Sequence, residues 1–335
     1  MVQNELEVST ASGRVNEESR PLTSTGGLAW VTLGAGQVGR RRDSMSTMDS
    51  SVTETSSGLA APWTRGYSVA AVPMLSTVWE WDQSLYAGSA EYYARGRMPY
   101  PSGMADALTA ELGLDGTGRL LDVGCGPGSL TSLLADRFEQ VVGVDADRGM
   151  IEEAARAGVG NAEWRQLRAE ELPAGLGSFR LVTFAQSFHW MDRPLVAGIV
   201  RGMLDAGGAC AHVHAATHQG VEGDVPHGEI GELVRSFLGP VRRAGQGVLP
   251  QGTAGGESEI YRAAGFTGPA RLEIPGSVIT RDADDIVAAV FSLSSSTPHL
   301  FGDRRAEFEA ALRELLGDRV FQERMGEIVI DVWRP

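Results

Sequence analysis

From residue 103 onward the apolar positions alternate between two spacings. Residues 103–113 place Met104, Ala107, Leu108 and Leu112 three and four apart, the interval of one helix face. The runs 119–123, 140–144, 180–186, 208–215, 270–280 and 327–333 are short and apolar, and they predict strands. Between them, 128–137, 147–157 and 192–204 predict helices. Strand–helix alternation of this kind predicts an α/β fold: a mostly parallel sheet covered by helices on both faces. Residues 217–256 are glycine-rich and break the alternation. A helical pair, 282–294 and 304–316, intervenes before the last strand. Both segments are read as a cap over the ligand-binding edge of the sheet.

Residues 1–75 show no sustained apolar period and are rich in Ser, Thr, Gly and Glu. They predict a disordered extension, or sequence upstream of the true start, with Met45, Met48 and Met74 as candidate starts. The folded domain then runs over 76–335, with cap segments at about 217–256 and 282–317. A glycine pattern at Gly34, Gly36 and Gly39 imitates a dinucleotide loop. It is followed by Arg40, Arg41, Arg42 and a serine-rich tract rather than a helix, so it is read as a decoy.

Composition narrows the partners. The chain is 42% hydrophobic and 21% charged, which is globular, and its formal net charge is −14. Such a surface repels polyanions unless a local basic patch intervenes. The basic clusters are short (Arg40 to Arg42, Arg242 with Arg243, Arg304 with Arg305) and none is interleaved with aromatics, so nucleic acid is disfavoured. Cys125 and Cys210 have no CxxC partner, and neither a disulfide framework nor a thiolate metal site is expected. No run approaches the ~20 apolar residues of a membrane helix. No signal layout opens the chain. A cytoplasmic protein without integral membrane association is expected; oligomeric state is not legible.

The chemistry begins at the first strand. Leu120-Leu121-Asp122-Val123 leads into Gly124, Cys125, Gly126, Pro127 and Gly128, and a helix starts at Ser129. Glycines let the backbone turn tightly and approach a ligand, and the helix N-terminus offers N–H groups to an anionic group. Val141-Val142-Gly143-Val144 then ends on Asp145, 23 residues after Asp122. A carboxylate at the carboxyl end of the adjacent parallel strand can accept both hydroxyls of a ribose, and the expected separation is ~20 residues. An Asp at a strand end is also a common helix cap; its pairing with the glycine turn favours the ligand role.

The segment 120–128 resembles motif I of the class I S-adenosylmethionine-dependent methyltransferases, and Val141–Asp145 resembles their acidic motif II. Arg168-Ala169-Glu170-Glu171-Leu172-Pro173 is similar to the segment that lies beside adenine in that family. Thr183 to Asp192 is similar to the fourth motif of the methyltransferase type 11/25 group, which includes ubiquinone/menaquinone and trans-aconitate methyltransferases. Leu204 to Gly208 is similar to the turn before the fifth strand. Two positions depart: Arg168 replaces an Asp, putting a side-chain contact to the adenine amine in doubt, and Ala206 replaces a Pro. The resemblance implies a Rossmann-like, doubly wound seven-stranded sheet with a small, mostly helical cap. It implies S-adenosyl-L-methionine as cofactor. The residues it implies around it are Tyr93, Arg97, Asp122, Gly124, Gly126, Gly128, Asp145, Ala146, Met150, Ala169, Glu170 and Gln186. An upstream segment around Tyr93–Pro101 covers the cofactor in relatives. There Tyr92 or Tyr93 and Arg97 would meet the methionine carboxylate, the guanidinium as a fork, or Arg97 would instead lie on the surface of an ordinary aromatic lid.

On the acceptor side, His189 follows the fourth strand and is the candidate general base or acceptor hydrogen-bond partner. Alternatively, His189 and Trp190 simply shape the pocket wall. His212, His214 and His218 lie at the end of the fifth strand; two on one face could hold a metal, but no acid completes a pattern, and no metal is expected. The Asp/Asn-Pro-Pro-aromatic loop of base-amine methylases is absent after the fourth strand, where Ala185-Gln186-Ser187-Phe188 stands. With the negative charge, this points to a small, apolar or aromatic acceptor methylated at oxygen, carbon or nitrogen. A quinone-type C-methyltransferase and a non-catalytic cofactor- or partner-binding protein are the alternatives.

Overall fold

The computed structural model describes residues 81–244, 247–248 and 255–335. The glycine pattern at 34–39, the three candidate starts and the proposed extension lie outside the described residues. The described residues belong to one compact unit, Val72–Pro335.

In chain order the elements are α1 (Ala90–Gly96), α2 (Gly103–Leu112), β1 (Arg119–Val123), α3 (Ser129–Leu134), β2 (Gln140–Asp145), α4 (Arg148–Arg156) and β3 (Ala162–Gln166). They continue with β4 (Phe179–Ala185), α5 (Arg193–Gly202), β5 (Leu204–His214), β6 (Glu222–Gly223) and α6 (His227–Leu238), then a two-residue pair β7 (Arg243–Ala244) and β8 (Gly247–Val248). The chain closes with α7 (Glu257–Ala263), β9 (Thr267–Ile274), β10 (Val278–Arg281), α8 (Ala283–Phe291), α9 (Arg305–Leu316), β11 (Phe321–Arg324) and β12 (Ile328–Arg334).

Seven strands form the main sheet in the order β3-β2-β1-β4-β5-β12-β9. The first five run parallel, and β12 runs antiparallel to both its neighbours, β5 and β9. The continuous apolar runs follow from burial on both faces, since successive side chains of a strand point opposite ways. Leu120, Val141 and Leu181 pack under α2 and α3 with Met104, Leu108 and Leu130. Their neighbours Leu121, Val142 and Val182 enter the other core, with Val196 and Val200 of α5, Tyr261 and Trp333.

A third core joins α6, α8 and α9 through Ile230, Val234, Ile286, Phe291, Phe308 and Leu312. Beside it stands a three-stranded sheet, β10-β11-β6. Two features differ from the sequence reading. The glycine-rich stretch contains a full helix, α6, whose Ile230, Leu233, Val234 and Phe237 hold helical spacing. The run 270–280 is two strands in different sheets. It breaks near Gly276, where a β-carbon would sit 1.8 Å from the Met325 carbonyl oxygen, so only glycine passes.

Among the described residues, no helix is long and apolar enough to cross a membrane.

Candidate active site

The glycine turn hangs from the end of β2. Gly124 and Cys125 N–H groups donate to the Val144 carbonyl at 2.8 and 3.0 Å, and the Gly126 N–H donates to Asp145 Oδ2 at 2.9 Å. Gly124, Gly126 and Gly128 all have positive φ, at 68°, 55° and 80°. At Gly124 a β-carbon would also meet Ser187 at 2.5 Å. Helix capping falls to a different residue: Asp147 Oδ1 accepts from Met150 N at 3.0 Å and caps α4. Asp145 is thereby released to face the pocket. Its Oδ1 accepts from Asp147 N at 2.8 Å, so two backbone donors use about half of the ~4 acceptor sites of a carboxylate. Burial pushes its pKa up to about 6, against the pull of those two N–H groups.

One pocket, with about 650 Å³ of open space, collects nine of the expected cofactor residues. Gly124, Gly126, Asp145, Ala146 and Met150 line it together with Ala169, Glu170, Tyr93 and Gln186. Three expected residues do not line it. Asp122 is fully buried behind the turn, accepting from Thr131 Oγ1 at 2.6 Å and Thr183 Oγ1 at 2.8 Å, and so ties β1 to α3 and β4. Gly128 backs onto the Trp164 indole. Arg97 stands over the Tyr93 ring at 4.5 Å and donates to the Ser292 carbonyl at 3.0 Å, lining two neighbouring cavities instead.

Glu170 has structural partners of its own. Its Oε1 accepts from Asp192 N at 2.9 Å and its Oε2 lies 3.5 Å from Arg168 Nε. It therefore anchors the loop after β4. Gln186 opens that loop with φ 57°, a left-handed conformation that costs a non-glycine residue about 1–2 kcal/mol. The side chain so placed donates from Nε2 to Tyr100 Oη at 3.2 Å.

The pocket fits an adenosyl amino acid: bare glycine backbone where a ligand must approach closely, and a carboxylate with spare acceptor capacity beside it. Sequence reasoning missed Trp81 and Tyr86 of its wall. Tyr86 meets Tyr93 and Trp190 edge-on, with centroids 6.3 and 5.8 Å apart. Its signal, an aromatic upstream of the first predicted helix, had no periodic context.

A second cavity, with about 1360 Å³ of open space, shares the Tyr86, Tyr93, Gln186 and Trp190 wall with the first and extends toward α6 and α8. His189 and His218 line it. Burial, then Arg193, lowers the pKa of His189 to about 4, so its ring is neutral near pH 7. His212 and His214 stack at 4.4 Å but are otherwise engaged. Tyr261 Oη lies 3.3 Å from His212 Nδ1, and His214 Nε2 lies 3.4 Å from Asp331. His227 pairs with Glu323.

A family model described as a methyltransferase domain matches residues 120–208. An uncharacterized methyltransferase of Mycobacterium bovis is 36% identical over 128 residues, covering 38% of this chain and 51% of that protein. An uncharacterized methyltransferase of Schizosaccharomyces pombe is 34% identical over 117 residues, covering 32% and 44%. The trans-aconitate 2-methyltransferase of Azoarcus sp. is 36% identical over 88 residues, covering 26% and 31%. The chain spans about half or less of the length of these curated relatives.

Proposed function

We propose that this chain, a member of the class I S-adenosylmethionine-dependent methyltransferases through its domain at residues 120–208, methylates a small molecule held in the cavity between sheet and cap. The observation that carries the reading is the Gly126–Asp145 hydrogen bond, which sets a bare glycine turn and an acceptor carboxylate side by side next to a second cavity.

S-adenosyl-L-methionine, when bound, supplies a methyl group on a sulfonium that an acceptor oxygen, carbon or nitrogen takes by in-line displacement. The chain's part is alignment and exclusion of water. Asp145 would accept from the ribose hydroxyls, with Gly124 and Gly126 leaving the backbone open to the ligand, and Ala169, Glu170, Ala146 and Met150 would enclose the adenine end. Arg97, which lines the neighbouring cavities beside Tyr93, would take the methionine carboxylate, while Asp122 holds the turn from behind. Tyr86, Tyr93 and Trp190 form the apolar partition between the two cavities. His189, neutral and facing the acceptor cavity, serves as the acceptor's hydrogen-bond partner or base.

Titration calorimetry with S-adenosylhomocysteine tests the reading directly. Binding that D145N weakens tenfold or more is expected; absence of binding to the unmodified protein would overturn it.

A further inference from the structure

The acceptor cavity has a charge character opposite to that of the molecule. The chain as a whole carries −14, yet among the described residues the cavity is lined by Arg97, Arg242 and Arg243, by three histidines, and by no Asp or Glu. The adjoining sequence, from Gly239 to Gly256, also contains no acid. Arg243 is committed to Asp82, at 2.8 Å, and Arg97 sits at the end nearest the glycine turn. Arg242 is not committed in this way: its Nε is buried with no hydrogen-bond partner among the described residues, as is the Nε of Arg97, whose Nη2 already donates to the Ser292 carbonyl. A buried, unsatisfied donor on a cation is destabilising unless a ligand completes it.

The other lining groups point the same way. Burial, then Arg97, lowers the pKa of His218 to about 4, with His227 and Arg281 adding to the effect, so the neighbourhood repels a further proton. Opposite these polar groups, Ile230, Val234, Ile286, Val290 and Leu293 offer an apolar wall. A free inorganic anion would leave that wall uncovered. A carbon skeleton covers it, and a planar carboxylate matches the two-pronged edge of a guanidinium.

We infer that the acceptor is an organic acid, an apolar skeleton bearing a carboxylate that Arg242 binds at the cap side of the cavity. The inference rests on the methyl-transfer reading and narrows its acceptor. It adds a carboxylate to the small, apolar or aromatic acceptor expected from the sequence, where Arg242 was only half of a short basic cluster. The carboxylate here is the handle for binding. It orients the rest of the molecule toward the partition of Tyr86, Tyr93 and Trp190.

The test uses the full chain, first titrated with S-adenosylhomocysteine and then kept saturated with it. Acids and their amides are compared in pairs by ligand-observed NMR: benzoate with benzamide, cinnamate with cinnamamide, hexanoate with hexanamide, and phenyl phosphate as a separate arm. At least one acid is expected to bind tenfold or more tightly than its amide. R242Q is expected to lose that binding tenfold or more, while its affinity for S-adenosylhomocysteine stays within twofold, and R242K to recover part of it. The inference is overturned if amides bind as well as acids, if phenyl phosphate outcompetes every acid, if no acid binds, or if R242Q binds acids unchanged. The acid–amide comparison on the unmodified protein decides even where a variant does not fold. Failure of S-adenosylhomocysteine to bind at the first step would instead remove the methyl-transfer reading itself.

Discussion

Trp164 lies directly beneath Gly128, so close that a β-carbon on the glycine would sit 2.5 Å from Cη2 of the indole. The same ring fills the space above Gly143, where a β-carbon would meet Cζ3 at 2.4 Å. One edge-strand side chain thus sets the height of the glycine turn above β2. G128A adds a methyl group against this ring at φ 80°, and should cost about 2–4 kcal/mol, combining left-handed strain with overpacking. Urea unfolding measures it; a loss below 0.5 kcal/mol would mean the indole yields freely.

The raised pKa of Asp145 gives cofactor binding a pH signature. The carboxyl is protonated below about 6 and ionised above it. Ribose hydroxyls donate to the ionised form, so binding should release a proton and tighten as pH rises from 5 to 7, then level off. D145N should weaken S-adenosylhomocysteine tenfold or more at pH 7.5, since each charge-assisted hydrogen bond contributes about 1.5–3 kcal/mol, and should flatten the pH dependence. Calorimetry across the range reads both; an unchanged slope in D145N would assign the titration elsewhere.

His189 faces the acceptor without lining the glycine pocket. H189A should therefore lower turnover by about 10- to 100-fold, with S-adenosylhomocysteine affinity unchanged. Undiminished turnover with an identified acceptor would eliminate it as base and as hydrogen-bond partner.

Glu323 is the buried centre of the cap. Its Oε2 accepts from Arg281 Nη1 at 3.0 Å, its Oε1 from Gly220 N at 3.0 Å, and His227 pairs with it. Burial opposes the charge, but these partners hold its pKa at about 2, below the ordinary 4.5. A depressed carboxyl stabilises the fold above its unfolded value, so this contribution is complete above pH 4.5 and drains away as pH falls toward 2. E323Q leaves Arg281 charged and buried without its counter-ion, at a cost of about 3–5 kcal/mol at pH 7. The difference from the unmodified protein should shrink in acid; thermal unfolding at pH 7 and pH 3.5 provides the comparison.

How much of this was legible beforehand varied with local contrast. β1, β2 and β4 stood out because burial on both faces makes a strand continuously apolar. β3 did not, because Ala162-Glu163-Trp164-Arg165-Gln166 is an edge strand with only two apolar residues, although its Trp164 shapes the glycine turn. α6 disappeared into the average composition of a glycine-rich window, though its apolar residues keep helical spacing. Within the site, Asp145 and the glycines were readable because their spacing along the chain is itself the geometry. Arg242 and Tyr86 were not, since what matters about them is which distant residues surround them.

α1 and α8 cross in close backbone contact. A β-carbon on Gly96 would fall 2.3 Å from the Ala288 carbonyl carbon, and Arg281 Nη2 clamps the Gly96 carbonyl at 2.7 Å. Tyr93 and Arg97 on one side, and Ala289 and Val290 on the other, are thus fixed to a single junction. An occupant that shifts α8 from the acceptor side would move Tyr93 and Arg97 with it, and any resulting effect of one ligand on the other's affinity would by thermodynamic reciprocity be equal in each direction.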